Sequence, residues 1–154
     1  RKDGPTSLLL SRQNLSFQNR SAEQAAAVAR GAYVLAEGNG APRAVIIATG
    51  SEVSLALAAQ QALAADGIAV RVVSMPCTQA FDRQDAAYRE SVLPRGIPRV
   101  AVEAGVTDYW RKYVGLEGKV IGIDRYGESA PAGELYKFFG ITGDAVAAAV
   151  RSVL

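Results

Sequence analysis

The stretch from Arg43 to Ala65 constrains the fold more than any other part of the chain. Val45, Ile46, Ile47 and Ala48 form a short, continuous apolar run rich in β-branched residues. Thr49-Gly50-Ser51-Glu52 follows at once, and a helical stretch then runs to Ala65. The order reads as strand, tight turn and helix. A strand that is apolar on both faces needs helices covering both, which is the condition of a parallel sheet. We take this strand as the centre of the sheet. Thr49 lies three residues before Glu52, the spacing of a capping box, so the hydroxyl is expected on an orphan helix amide with the carboxylate reaching back to the cap.

The other segments alternate around that unit. Thr6 to Ser11 is an apolar run entered from Gly4-Pro5 and reads as a strand, with Arg12-Gln13-Asn14 directly beyond it. Ser21-Ala22-Glu23-Gln24 has capping-box spacing and opens an alanine-rich helix ending near Gly31. Tyr33 to Ala36 is too short for a helix and precedes the turn signal Gly38-Asn39-Gly40, so it reads as an edge strand antiparallel to the central one. Within the main helix, Val53, Ala56, Leu57 and Ala64 mark one face. Ala69 to Ser74, Pro98 to Glu103 and Lys119 to Ile123 are further strands. One or two short helices are expected from Phe81 to Leu93, a helical stretch from Asp108 to Val114, and a short helix from Gly133 to Phe139. In the last helix, capped by Thr142, Val146, Ala149, Val150 and Val153 recur at helical spacing. The expectation is an α/β fold: three layers, helix–sheet–helix, around a five-stranded, mostly parallel sheet with one antiparallel edge strand.

Composition narrows the function. At 154 residues the chain has the size of one domain, and about half its residues are hydrophobic. A net charge of +2 without a basic stripe argues against nucleic acid. Histidine is absent, which removes the commonest general base and metal ligand. No apolar run approaches the roughly 20 residues that span a bilayer, so no membrane partner is expected. Cys77, alone, cannot form an internal disulfide and fits a cytoplasmic setting; without a histidine partner it reads as a buried small hydrophobe. The chain starts at Arg1 without methionine and reads as a piece of something longer.

Little of the polar chemistry is concentrated. No glycine-rich dinucleotide or P-loop motif occurs. Glu103, Asp108, Glu117, Asp124 and Glu128 are dispersed and form no evident acid–base couple, and no cluster has metal-ligand spacing. Thr49-Gly50-Ser51 presents helix amides and could hold an anion, although the ordinary reading is a turn and cap. Tyr109, Trp110 and Tyr113 read as packing, in the core or against a subunit. Arg12 stands beyond the end of a strand, where ligands of open α/β sheets collect, or is simply a surface arginine. The residues thus describe an α/β domain with an incomplete site, part of a larger enzyme or a free-standing module that binds an anion or nucleotide.

Several motifs in one order carry a resemblance. They are Gly4-Pro5-Thr6 with Leu10-Ser11-Arg12-Gln13-Asn14-Leu15, Ile47-Ala48-Thr49-Gly50-Ser51-Glu52-Val53, and Val73-Ser74-Met75-Pro76-Cys77. Then come Val102-Glu103-Ala104-Gly105 with Asp108-Tyr109-Trp110 and Tyr113-Val114-Gly115, and Gly127-Glu128-Ser129-Ala130-Pro131 with Phe138-Phe139-Gly140. Over nearly its whole length the chain resembles the C-terminal domain of the transketolases. The resemblance implies a parent enzyme that is a cytoplasmic homodimer, depends on thiamine diphosphate and a divalent metal (Mg or Ca), and moves a two-carbon ketol unit between sugar phosphates in the pentose phosphate pathway. It implies that residues 1–154 are one domain, with 1–20 leading in from a preceding middle domain. In the family, the diphosphate and metal belong to an N-terminal domain and the aminopyrimidine to the middle one. This piece is therefore expected to hold no catalytic, cofactor-binding or metal-binding residue and to be inactive alone. The arginine of the Ser-Arg-Gln-Asn motif, here Arg12, is implied to bind the substrate phosphate; Ser11 and Gln13 are given no chemistry. The equivalent domain of another thiamine enzyme, deoxyxylulose-phosphate synthase or a 2-oxoacid dehydrogenase β subunit, is the nearest alternative. The Ser-Arg-Gln-Asn and Gly-Glu-Ser-Ala-Pro blocks count against it.

Overall fold

A computed structural model describes residues 4, 5, 7, 10, 11 and 13–154. Five strands form one sheet: β1 (Tyr33–Ala36), β2 (Ala44–Ala48), β3 (Val70–Ser74), β4 (Arg99–Val102) and β5 (Lys119–Ile121). Their order across the sheet is β1-β3-β2-β4-β5, so β2 is central, as its apolar run requires. β2 pairs in parallel with β3 and β4, and β4 with β5.

Alternation along β2 supplies both cores. All five of its residues are buried. Ala44, Ile46 and Ala48 face one hydrophobic cluster, Val45 and Ile47 the other, because successive side chains leave a strand on opposite faces. The first cluster joins α2 (Val53–Ala65) and α7 (Gly143–Ser152) to the sheet through Val53, Ala56, Ala59, Leu63, Val146, Ala147 and Val150. On α2, Leu57 is only half-buried and Ala64 is exposed; Ala59 and Leu63 take the core positions expected of them. The second cluster packs Phe81, Val92, Trp110, Tyr113 and Val114 against the other face. They come from α3 (Thr78–Asp82), α4 (Ala86–Val92) and a 3-10 turn running into α5 (Arg111–Val114). α6 (Ala132–Phe138) follows the Gly127 to Pro131 loop.

The antiparallel edge strand is where expected, but its neighbour is not β2. β1 pairs with β3, Tyr33 opposite Ser74, with an irregularity between Val34 and Ala36. The segment after Gly38-Asn39-Gly40 therefore crosses the start of β3, where the Arg43 N–H donates to the Ala69 carbonyl at 2.8 Å. β2 is covered on both faces and flanked by parallel partners, which leaves the half-exposed β1 at the margin. That margin is protected by α1 (Ala22–Ala27), whose Gln24 side-chain amide donates to the carbonyls of Val34 and Leu35. The expected Ser21–Gln24 capping box is present on the same helix. The strand expected from Thr6 to Ser11 is not seen among the described residues: Ser7, Leu10 and Ser11 lie in no strand, and Thr6, Leu8 and Leu9 fall outside the described residues. Leu10 is 85% exposed, so no core face selects an extended pairing there. No described helix is long and apolar enough to cross a membrane.

Candidate functional site

The four parallel strands end on one rim of the sheet, where open α/β sheets gather ligands. The turn after β2 organises it. Thr49 has the extended backbone of a cap, yet its side chain makes no capping hydrogen bond, and the Thr49–Glu52 capping box does not form. Glu52 instead turns inward and is 4% exposed. A carboxylate removed from water has to find donors. The Tyr136 hydroxyl of α6 donates to Glu52 Oε1 in a short contact, and Ser51 Oγ stands 3.0 Å from the same oxygen. Ser51 Oγ is also 2.8 Å from the Tyr136 oxygen. Gln13 Nε2 donates to that hydroxyl at 3.3 Å. Burial first, and then the bond to Glu52, push the Tyr136 phenol up, so the proton stays on tyrosine and its oxygen remains an acceptor.

This cluster ties together three segments remote in sequence: the Ser-Arg-Gln-Asn motif, the turn of the central strand, and the helix after Gly-Glu-Ser-Ala-Pro. Arg12, the expected phosphate ligand, lies outside the described residues. Its neighbour Gln13 is half-buried and lines a groove of about 550 Å³ with Ser129, Ala130, Pro131 and Leu135. A second groove, about 600 Å³, lies between residues 15–20 and the carboxyl ends of β2 and β3, with Gly50, Ser74 and Pro76 in its wall. There the Arg20 Nε donates to the Tyr33 hydroxyl at 2.5 Å.

The dispersed carboxylates stay apart, each with its own partner where one is seen. Glu103 accepts from Trp110 Nε1 at 2.6 Å. Asp124 accepts from the Thr107 N–H at 2.8 Å and its hydroxyl at 2.7 Å, which together hold the carboxyl below the usual range. Glu128 pairs with Arg125 at 3.3 Å. Trp110 and Tyr113 are buried in the core, with the Tyr113 hydroxyl donating to Asp82. Tyr109 is half exposed, its hydroxyl 2.5 Å from Thr78 Oγ1. Cys77 corrects the expectation of a buried thiol: it is exposed, because Pro76 ends β3 and Cys77 stands at the surface as the cap of α3. The Thr49-Gly50-Ser51 turn leads into a 3-10 segment whose first turn already carries an acidic residue, Glu52, the charge that a helix start favours.

Sequence reasoning missed Glu52 and Tyr136 as partners. The capping-box spacing offered Glu52 a complete local explanation, and nothing in the residues around Tyr136 points back across the sheet.

A family model described as the transketolase-like C-terminal domain matches residues 31–142. The chain belongs to that family. Over its whole length this transketolase C-terminal domain is 59% identical to transketolase 1 of Escherichia coli and 57% identical to transketolase 1 of Vibrio cholerae. It covers 23% of each, so it spans about a quarter of the length of the curated relatives it matches. Among solved structures, a transketolase from Leishmania mexicana matches 92% of the chain with 20% of its own, at 45% identity and a TM-score of 0.83. A transketolase from Pichia stipitis, solved in complex with sedoheptulose-7-phosphate, matches the same share at 40% identity and a TM-score of 0.79. The mixed sheet with its helical layers is therefore the transketolase C-terminal architecture.

Proposed function

We propose that this domain serves an enzyme that transfers a two-carbon ketol unit from a ketose phosphate to an aldose phosphate, a step of the pentose phosphate pathway. The observation that carries this is the 59% identity to a transketolase across every part of the chain. Sugar-phosphate substrates are supported by the Pichia stipitis transketolases solved with sedoheptulose-7-phosphate and fructose-6-phosphate. The parent enzyme is a cytoplasmic homodimer that uses thiamine diphosphate with Mg or Ca. That cofactor would supply the carbon–carbon bond chemistry. The described residues bring no group of three or more histidine, cysteine, aspartate or glutamate side chains together that could hold its metal. The cofactor is assigned to parts of the enzyme outside this chain. The chain alone is inactive and contributes phosphate binding, stability and subunit contacts.

Arg12 is the residue we assign to the substrate phosphate. A guanidinium offers two parallel donors to a phosphate, a grip that lysine lacks. Losing charge-assisted bonds of roughly 1.5–3 kcal/mol corresponds to a weakening of about 10- to 100-fold. In the full-length enzyme, Arg12→Ala is expected to raise KM for phosphorylated sugars by that order and to leave unphosphorylated ones nearly unchanged. An equal effect on both removes Arg12 from the phosphate site.

A further inference from the structure

We infer that Tyr136, held by the buried Glu52 carboxylate, is a positioning residue that presets the Ser-Arg-Gln-Asn segment for substrate phosphate by anchoring Gln13. The inference rests on the proposed phosphate role of Arg12 and extends it to residues with no assigned part in the reaction.

The hydrogen-bond directions make the cluster a one-way tether. Glu52 can only accept, and it is 4% exposed. The phenol proton goes to Glu52, with which Tyr136 makes its shortest contact. The Tyr136 oxygen is then left to accept, and Gln13 Nε2 donates to it at 3.3 Å. Ser51 Oγ, 2.8 Å from Tyr136 and 3.0 Å from Glu52, limits rotation of the carboxylate. The chain of bonds therefore starts in the turn that follows the central strand, at the buried Glu52, and ends on Gln13, the residue after Arg12 in the sequence. A segment ordered before substrate arrives loses less entropy on binding than one ordered by the substrate. The groove beside Gln13, walled by Ser129, Ala130, Pro131 and Leu135, lets a ligand approach this segment from solvent. A contact to the substrate phosphate that is equally strong in the ground and transition states acts on KM and leaves kcat unchanged.

The test is steady-state kinetics of the full-length enzyme carrying Arg12→Ala, Tyr136→Phe, Gln13→Met or the pair Tyr136→Phe with Gln13→Met, using a phosphorylated donor and its unphosphorylated counterpart. Tyr136→Phe and Gln13→Met are each expected to raise KM for the phosphorylated donor by about three- to tenfold, the worth of one neutral hydrogen bond. Expected alongside are an unchanged kcat, little effect on the unphosphorylated donor, and a double variant no worse than the more affected single one. Should Tyr136→Phe fail to fold, the selectivity of Gln13→Met decides. If Arg12→Ala is selective for phosphate but Tyr136→Phe and Gln13→Met affect both donors equally or not at all, the positioning role is overturned and the phosphate reading survives. If Arg12→Ala shows no selectivity, the phosphate reading fails and the positioning role with it.

Discussion

Gly31 offers a stability measurement whose size can be worked out from the backbone. It ends the first helical segment at φ 91° and ψ −25°, a left-handed conformation that favours glycine. A Cβ built there would stand 2.2 Å from the Cys77 carbonyl oxygen and 2.4 Å from the Phe81 nitrogen. Both are main-chain atoms of the segment that opens α3, so no side chain can swing aside. Gly40 has a similar φ of 98°, yet a Cβ there meets nothing within 4 Å. Alanine at Gly40 should cost only the left-handed strain, about 1–2 kcal/mol. Alanine at Gly31 adds the displacement of α3, about 1–3 kcal/mol by analogy with overpacking, and threatens the Cys77 N–H bond to the Gly31 carbonyl, about 1 kcal/mol more. The expected loss is about 3–6 kcal/mol, at least about 2 kcal/mol beyond Gly40→Ala. Urea unfolding followed by the fluorescence of Trp110, the only tryptophan and a buried one, reads both variants. Equal losses would refute the reasoning, because the close approach to α3 is what separates the two sites.

Ile46→Ala and Ile47→Ala empty opposite faces of the same strand, and each should lower stability by about 2–5 kcal/mol in the same assay. Burial first, and then the bond to Asp82, push the Tyr113 phenol up to about 12. The folded state therefore keeps a proton that the unfolded chain releases near its ordinary value of 10.0. That contribution is complete below pH 10, falls as the pH rises towards about 12, and should vanish in Tyr113→Phe when unfolding is measured along this range. The thiol of Cys77 should react with an aromatic disulfide reagent in the native 154-residue chain as fast as in urea; strong native protection would contradict its exposure.

The legible part of the fold was local. The apolar run of β2 announced a strand covered on both faces, and its alternation into two clusters followed from the two-residue period. Ser21 with Gln24, and Thr142 with Ala145, cap helices as their spacing suggested, because a cap needs only neighbouring residues. The candidate site was less legible. Arg12 is singled out by its motif and by an expected strand-end position; it lies outside the described residues, and Ser7, Leu10 and Ser11 lie in no strand, so the positional half of that expectation loses its support.

The order of residues decided which segments are strands and helices, because periodicity and capping act over a few residues. It decided family membership as well, since many short motifs recur in one succession. Tertiary structure alone decided that β1 pairs with β3, as pairing depends on which edge remains uncovered once β2 has both its parallel neighbours. It also drew Glu52 away from its helix cap to Tyr136, across 84 residues of chain. A buried carboxylate takes the donor that packing brings to it, and only the assembled layers determine which donor that is.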